Sequence, residues 1–210
     1  MDLLLRGKIA MVAASSRGLG FGVARELAHE GVKVSLASRD LESAEKAASQ
    51  IHEEMGTPVL ASQMDAKDPA AIANWTSRTI SEFGGVDLLV ANAGGPPAGN
   101  FDTFSDESWQ DAFELNLLST VRMIRSILPS MRQRGGGSIL TITSITVKEP
   151  AERTGMTPEE CRADAIKTIP MGRYGDITEF GKAAAFLLSD AASYITGSSL
   201  ALDGGSLKTV

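Results

Sequence analysis

The residues best suited to chemistry form a glycine-rich run near the start of the chain, Ala13-Ala14-Ser15-Ser16-Arg17-Gly18-Leu19-Gly20. The run follows the apolar stretch Ile9-Ala10-Met11-Val12 and precedes a helix-like segment from Phe21 to His29. Strand, glycine turn and helix, in that order, set a phosphate on a helix N-terminus. Small residues let the backbone approach a pyrophosphate, and the free N–H groups of the first helical turn point at it. Ser15, Ser16, Arg17, Gly18, Leu19 and Gly20 are therefore the candidate diphosphate cradle. Ser38-Arg39 closes a second apolar run. In a dinucleotide-binding sheet this place faces the adenosine ribose. An acidic residue there binds the ribose hydroxyls and favours NAD, whereas a hydroxyl and a guanidinium suit the 2′-phosphate of NADP. Arg17 is a second candidate partner for that phosphate, and plain surface arginines are the alternative reading of both. Asp65-Ala66 follows a third apolar run, where adenine would lie, or else simply caps the next turn. Asn92-Ala93-Gly94-Gly95 follows a fourth. Small residues there allow close packing against a cofactor and Asn92 can tie strand ends together; an ordinary glycine turn is the alternative.

Alternating strands and helices must position these residues. Strands are predicted at Lys8–Ala13, Lys33–Ala37, Val59–Gln63, Val86–Ala91, Ser138–Thr143 and Ser199–Leu202. Helices are predicted at 20–30, 40–55, 68–83, 106–134, 158–167 and 177–189. Asp40 and Ser105 stand at N-cap positions, Gly56 lies just past a helix end, and Thr157-Pro158-Glu159-Glu160 is a capping box. The early strands are continuous apolar runs, as expected of strands covered on both faces. Their alternation with helices predicts a parallel, doubly wound α/β sheet with right-handed crossovers in one domain.

Bulk properties narrow the function classes. The chain has 210 residues, 43% hydrophobic and 22% charged, which suits a single globular domain. A net charge of −6 with no basic block argues against nucleic-acid binding. One cysteine, Cys161, forms no internal disulfide and fits a reducing, cytoplasmic setting. Two histidines and one cysteine make a structural zinc site, and any metal centre, unexpected. Charges interrupt the leucines of the N-terminus, so neither a signal peptide nor a membrane span is predicted.

Taken together, the loop 13–20, Asp65, Asn92-Ala93-Gly94, Asn116 in Glu114-Leu115-Asn116-Leu117, and Ser144 after Ile139-Leu140-Thr141-Ile142-Thr143 resemble the short-chain dehydrogenase/reductase family. So do Ile169-Pro170-Met171-Gly172-Arg173, Tyr194-Ile195-Thr196-Gly197 and Leu202-Asp203-Gly204-Gly205. The resemblance spans nearly the whole chain in the family's order and is strongest to 3-oxoacyl-[acyl-carrier-protein] reductases. It implies a three-layer Rossmann-type fold and hydride transfer between NADP, less so NAD, and a ketone/secondary-alcohol pair, the substrate being a small molecule or an acyl thioester. It also implies a homodimer or homotetramer, Ser144 steadying the substrate oxygen, and Asn116 supporting a water chain. Ser15–Gly20, Ser38, Arg39, Asp65, Ala66, Asn92, Ala93 and Gly94 would hold the cofactor. A non-catalytic nucleotide-binding or interaction protein of the same fold is the competing class.

Two departures stand out. The family's loop usually begins Thr-Gly, but here it begins Ala13-Ala14, and alanine lacks glycine's freedom at positive φ, so a slightly different loop entry is expected. Family enzymes also carry a Tyr-x-x-x-Lys pair on the helix after the fifth strand, the tyrosine moving the proton. By the family's spacing the tyrosine falls at Met156, Thr157 or Pro158, and no Tyr-x-x-x-Lys occurs anywhere in the sequence. Only 24 residues separate Ser144 from Ile169. Against a usual domain length of about 250, roughly 50 to 60 residues are absent, comprising the helix and strand after the fifth strand. The join is predicted near Pro150-Ala151. An omitted segment of the native chain is favoured over a true deletion, which would strip the fifth strand of a neighbour. Ser144 and Lys148 form a Ser-x-x-x-Lys, but no nucleophile elbow accompanies it, which argues against a hydrolase.

Overall fold

The computed structural model describes residues 2–95, 101–144 and 156–207. The predicted join at Pro150-Ala151, and Lys148, lie outside them. Five strands carry the fold: β1 (Ile9–Val12), β2 (Lys33–Ser38), β3 (Val59–Gln63), β4 (Leu88–Ala91) and β5 (Ser138–Thr141). The helices are α1 (Gly18–His29), α2 (Leu41–Met55), α3 (Pro69–Phe83), α4 (Asp106–Phe113), α5 (Ser119–Gln133), α6 (Pro158–Lys167) and α7 (Ile177–Leu188). Every strand pairing is parallel, in the order β3-β2-β1-β4-β5.

Alternation within the strands builds two cores, one on each face. Ala10 and Val12 of β1 and Leu88 and Val90 of β4 join Val23, Leu27, Ile51 and Leu188 under α1, α2 and α7. The intervening Met11, Leu89 and Ala91 join Ile72, Trp75, Met123 and Ile127 under α3 and α5. Residues apolar in both phases thus made the strands read as continuous apolar runs. The polar groups inside the second layer are paired. The Trp75 indole donates to Ser35 Oγ at 2.9 Å, and Ser35 meets Thr79 at 2.7 Å.

Helix starts follow local side-chain chemistry. Asp40, Asp68 and Ser105 accept from backbone N–H groups of Ser43, Ala70 and Ser108, and Thr157 with Glu160 forms a reciprocal capping box. The helix expected over 106–134 is helical throughout but holds a π-turn at Glu114–Leu118 between α4 and α5. At the lower end of the sheet Arg134 grips Asp87 through two hydrogen bonds of 2.6 and 2.9 Å, while Asp87 accepts from the Ile9 N–H at 2.9 Å. The carboxylate holds the Arg134 guanidinium's pKa above its ordinary value.

One predicted strand is absent. The predicted strand at Ser199–Leu202 is not a strand, and all four residues are exposed. Among the described residues, β5 pairs only with β4 and forms the edge, with Ile139 39% exposed where every residue of β1 and β4 is buried. A terminal strand needs a neighbour to pair with, and the sheet stops short of the position from which Ser199–Leu202 could be paired.

Candidate functional site

Because the strands are parallel, their carboxyl ends share one rim of the sheet. From β1 the chain winds outward through β2 to β3, then returns to place β4 on the other side of β1. The reversal between β1 and β4 opens a crevice at that rim. The segments after β1, β4 and β5 border it: residues 13–18, 92–95 and 142–144. The Ala13 N–H donates to Val90 O at 3.1 Å and the Ile142 N–H to Ala91 O at 3.0 Å, so these segments leave the sheet side by side.

The glycine loop is fixed from within. Ser15 is buried; its N–H donates to Ala37 O at 3.1 Å, its hydroxyl to Val12 O at 2.7 Å, and it accepts from the Ala37 N–H at 3.3 Å. Ser16 donates to Ser38 Oγ at 3.1 Å, joining the loop to the end of β2. Arg17 is the N-cap of α1 but supplies no side-chain cap, so the first turn opens with exposed Arg17, Gly18 and Leu19. Gly18 has φ +63°, with open space where a Cβ would stand. Arg39 is exposed beside Ser38, and neither the Arg17 nor the Arg39 guanidinium is hydrogen-bonded or ion-paired among the described residues.

The expected detour at the loop entry does not occur. Ala14 takes φ +47°, the left-handed region that glycine prefers, at a cost of about 1–2 kcal/mol. The hydrogen bonds of Ala13 and Ser15 on either side hold it there. Its carbonyl accepts from Asn92 Nδ2 at 3.3 Å. Gly20 packs on the same spot: a Cβ there would stand 2.5 Å from Ala14 O and 2.9 Å from Asn92 Nδ2. Asn92 is half-buried, Ala93 follows it, and Gly94 is exposed at the rim.

The other candidates are less concentrated. Asp65 accepts from the Lys67 N–H at 2.9 Å, the turn-capping geometry, and Ala66 is buried beside it. Asn116 sits in the π-turn, exposed, with its Nδ2 donating to Ala112 O at 2.9 Å. π-turns often mark functional positions, and only the Asn116 motif pointed here in the sequence. Ser144 is exposed just past β5, at the rim. Thr157, one position where the family's spacing would put a tyrosine, is spent as the cap of α6. Tyr174 is stacked under Arg162, 5.0 Å from ring centroid to guanidinium, and Tyr194 is fully exposed. Among the described residues the one group of three clustered ligand-type side chains, Glu26, His29 and Glu30, lies at the far end of α1 from the rim. No helix among them is long and apolar enough to cross a membrane.

A parallel sheet with its crevice between β1 and β4, and a glycine loop opening α1 at that crevice, define a dinucleotide-binding α/β protein. The short chain dehydrogenase profile matches residues 8–156, and the chain belongs to that family. A second profile, enoyl-(acyl carrier protein) reductase, matches residues 146–206. The chain is 31% identical to 3-oxoacyl-[acyl-carrier-protein] reductase FabG of Escherichia coli over 240 positions, covering 95% of this chain and 97% of that one. L-sorbose reductase from Gluconobacter frateurii, solved with NADPH and L-sorbose, superposes with a TM-score of 0.87 at 28% identity over 100% of both chains. A 7α-hydroxysteroid dehydrogenase, solved with NADH and a 7-oxo bile acid, gives 0.87 at 26% identity over 99% of this chain and 97% of that one. These relatives are oxidoreductases of CH–OH groups.

Proposed function

We propose that the chain binds NADP at the β1/β4 rim and serves a reductase that interconverts a ketone and a secondary alcohol, with a 3-oxoacyl thioester as the favoured substrate class. One observation carries the cofactor reading. The Ser16–Ser38 hydrogen bond joins the end of β2, where Arg39 follows Ser38, to a loop whose helix start has no side-chain cap, and the neighbouring carboxylate, Asp40, is engaged in capping α2. The first turn of α1 would take the diphosphate, and Arg39 with Arg17 the 2′-phosphate. Bound NADP supplies or accepts the hydride. Asn92 and Gly94 would wall the nicotinamide side, Ser144 would orient the substrate oxygen, and Asn116 would hold a water. Asp65 and Ala66 would flank the adenine. The reductase named among the relatives supports the substrate class, the single cysteine supports a cytoplasmic setting, and the family resemblance supports a homo-oligomer.

A second reading rests on the missing proton donor. Without Tyr-x-x-x-Lys, these 210 residues form a cofactor-binding shell that holds the nucleotide but does not complete the reaction. Fluorescence titration with NADPH and NADH, followed by NADPH oxidation with acetoacetyl thioester, separates the readings. Tighter binding of NADPH than NADH supports the cofactor assignment, and equal affinity overturns it. Binding without thioester-dependent oxidation favours the shell.

A further inference from the structure

We propose that Asn92 is the positioning residue that holds the strained Ala14 peptide in its left-handed turn, so that this chain's cofactor loop depends on Asn92 as a glycine-entered loop would not. The cofactor part of the test rests on the NADP reading; the strain itself does not. Ala14 and Leu4 are the non-glycine residues with positive φ among the described residues, at +47° and +54°, and only Ala14 lies at the rim. An alanine returns from that region to extended or right-handed backbone unless its surroundings hold it. The N–H groups of Ala13 and Ser15 pin the residues on either side, to β4 and β2 respectively. The Ala14 carbonyl and the Ser15 N–H belong to one planar peptide, so the Ser15 bond to Ala37 O holds one end of it and the 3.3 Å bond from Asn92 Nδ2 holds the other. Gly20 closes the arrangement, because a Cβ there would collide with both the carbonyl and the amide. The loop after β4, the glycine loop and the first turn of α1 therefore meet at one carbonyl oxygen. Rotating that peptide would move Ser15 and Ser16, and with Ser16 its link to Ser38.

A double-mutant cycle of Ala14→Gly and Asn92→Ala tests this, read by thermal unfolding without nucleotide and by NADPH titration. Glycine takes the turn without strain, so losing Asn92 should matter less in its presence. The expected result is that Asn92→Ala weakens NADPH binding about tenfold in the parent chain but by less than about threefold in the Ala14→Gly background. The fall in Tm should likewise be smaller in the Ala14→Gly background. Equal losses in both backgrounds, in Tm and in binding, would overturn the proposal. If Asn92→Ala does not fold, Asn92→Asp keeps the size and removes the donor, and the same comparison applies. If no variant, nor the parent, binds NADPH, the nucleotide reading fails, and the Tm cycle alone decides whether Asn92 holds the strained peptide.

Discussion

On the proposed NADP reading, Arg39 is the residue on which cofactor choice turns. Its side chain stands exposed and uncommitted next to Ser38, and a guanidinium gripping a phosphate forms a charge-assisted hydrogen bond of about 1.5–3 kcal/mol. Arg39→Ala should therefore weaken NADPH by about one to two decades and leave NADH nearly unchanged, measured by titration of both. Equal loss for the two nucleotides would remove Arg39 from the 2′-phosphate site. Residue identity made this position legible, since the type of side chain at the end of β2 is a chemical choice written in one letter. The Ala14 turn was not legible in the same way. An alanine in sequence favours ordinary backbone, and only the hydrogen bonds of Ala13, Ser15 and Asn92, made by partners distant in the chain, force it to positive φ. Asp65 was ambiguous because capping a turn and facing adenine ask for the same carboxylate.

At the scale of elements, α1 and α7 cross in close backbone contact. A Cβ on Gly181 would stand 2.5 Å from Gly22 O, and one on Gly22 2.5 Å from Ile177 O, so the two backbones touch. Gly181→Ala gains helix propensity but forces the helices apart. Overpacking of this kind costs about 1–3 kcal/mol, and Tm should fall by several degrees. An unchanged or raised Tm would mean that α7 yields freely. The start of α7 also carries a titrating contact. Two hydrogen bonds of 2.7 Å from Arg173, aided by the Asp176 N–H, lower Glu179 from its ordinary 4.5 to about 2. A lowered folded-state pKa means that this contribution to stability is complete above about pH 4.5 and fades as pH falls towards 2. The pair is exposed, so salt should weaken it. Arg173→Ala should lower Tm near neutral pH and flatten its decline between pH 4.5 and 2; an identical acid profile would detach Glu179 from the stability of α7. Strands and caps were readable because their signals are local: buried apolar runs, and side chains reaching two or three residues ahead. The π-turn at Glu114–Leu118 was not readable, since an extra residue in a helical turn has no composition of its own. The strand at Ser199–Leu202 was misread because β propensity describes a surface that fits a neighbour, and here no neighbour stands.

The whole molecule is a sheet with one finished side and one unfinished side. On the β3 side, β2 is largely buried and the edge strand β3 is half-buried, with Ser62 buried and Gln63 exposed. On the β5 side, Ile139, Leu117, Leu118 and Val121 are each at least 36% exposed, and Leu200 and Leu202 are exposed in a segment with the sequence of a strand. A chain that buries its core elsewhere gains nothing by leaving these residues in water. The same region is where the two family profiles overlap, at residues 146–156. An added strand beside β5 would pair that edge and give Ser199–Leu202 a neighbour, and a helix packed on it would cover Ile139. That same segment would bring the missing proton donor to Ser144 at the rim. On that reading one segment would supply both the cover for β5 and the proton donor. The subunit isolated from its natural source should therefore be several kilodaltons heavier by intact mass than the 22.1 kDa of these 210 residues, and should oxidise NADPH with a 3-oxoacyl thioester. The 210-residue chain made alone should bind NADPH and show no such oxidation. A natural subunit of 22.1 kDa that turns over the thioester would overturn this expectation, because proton transfer would then have to come from residues the family does not use.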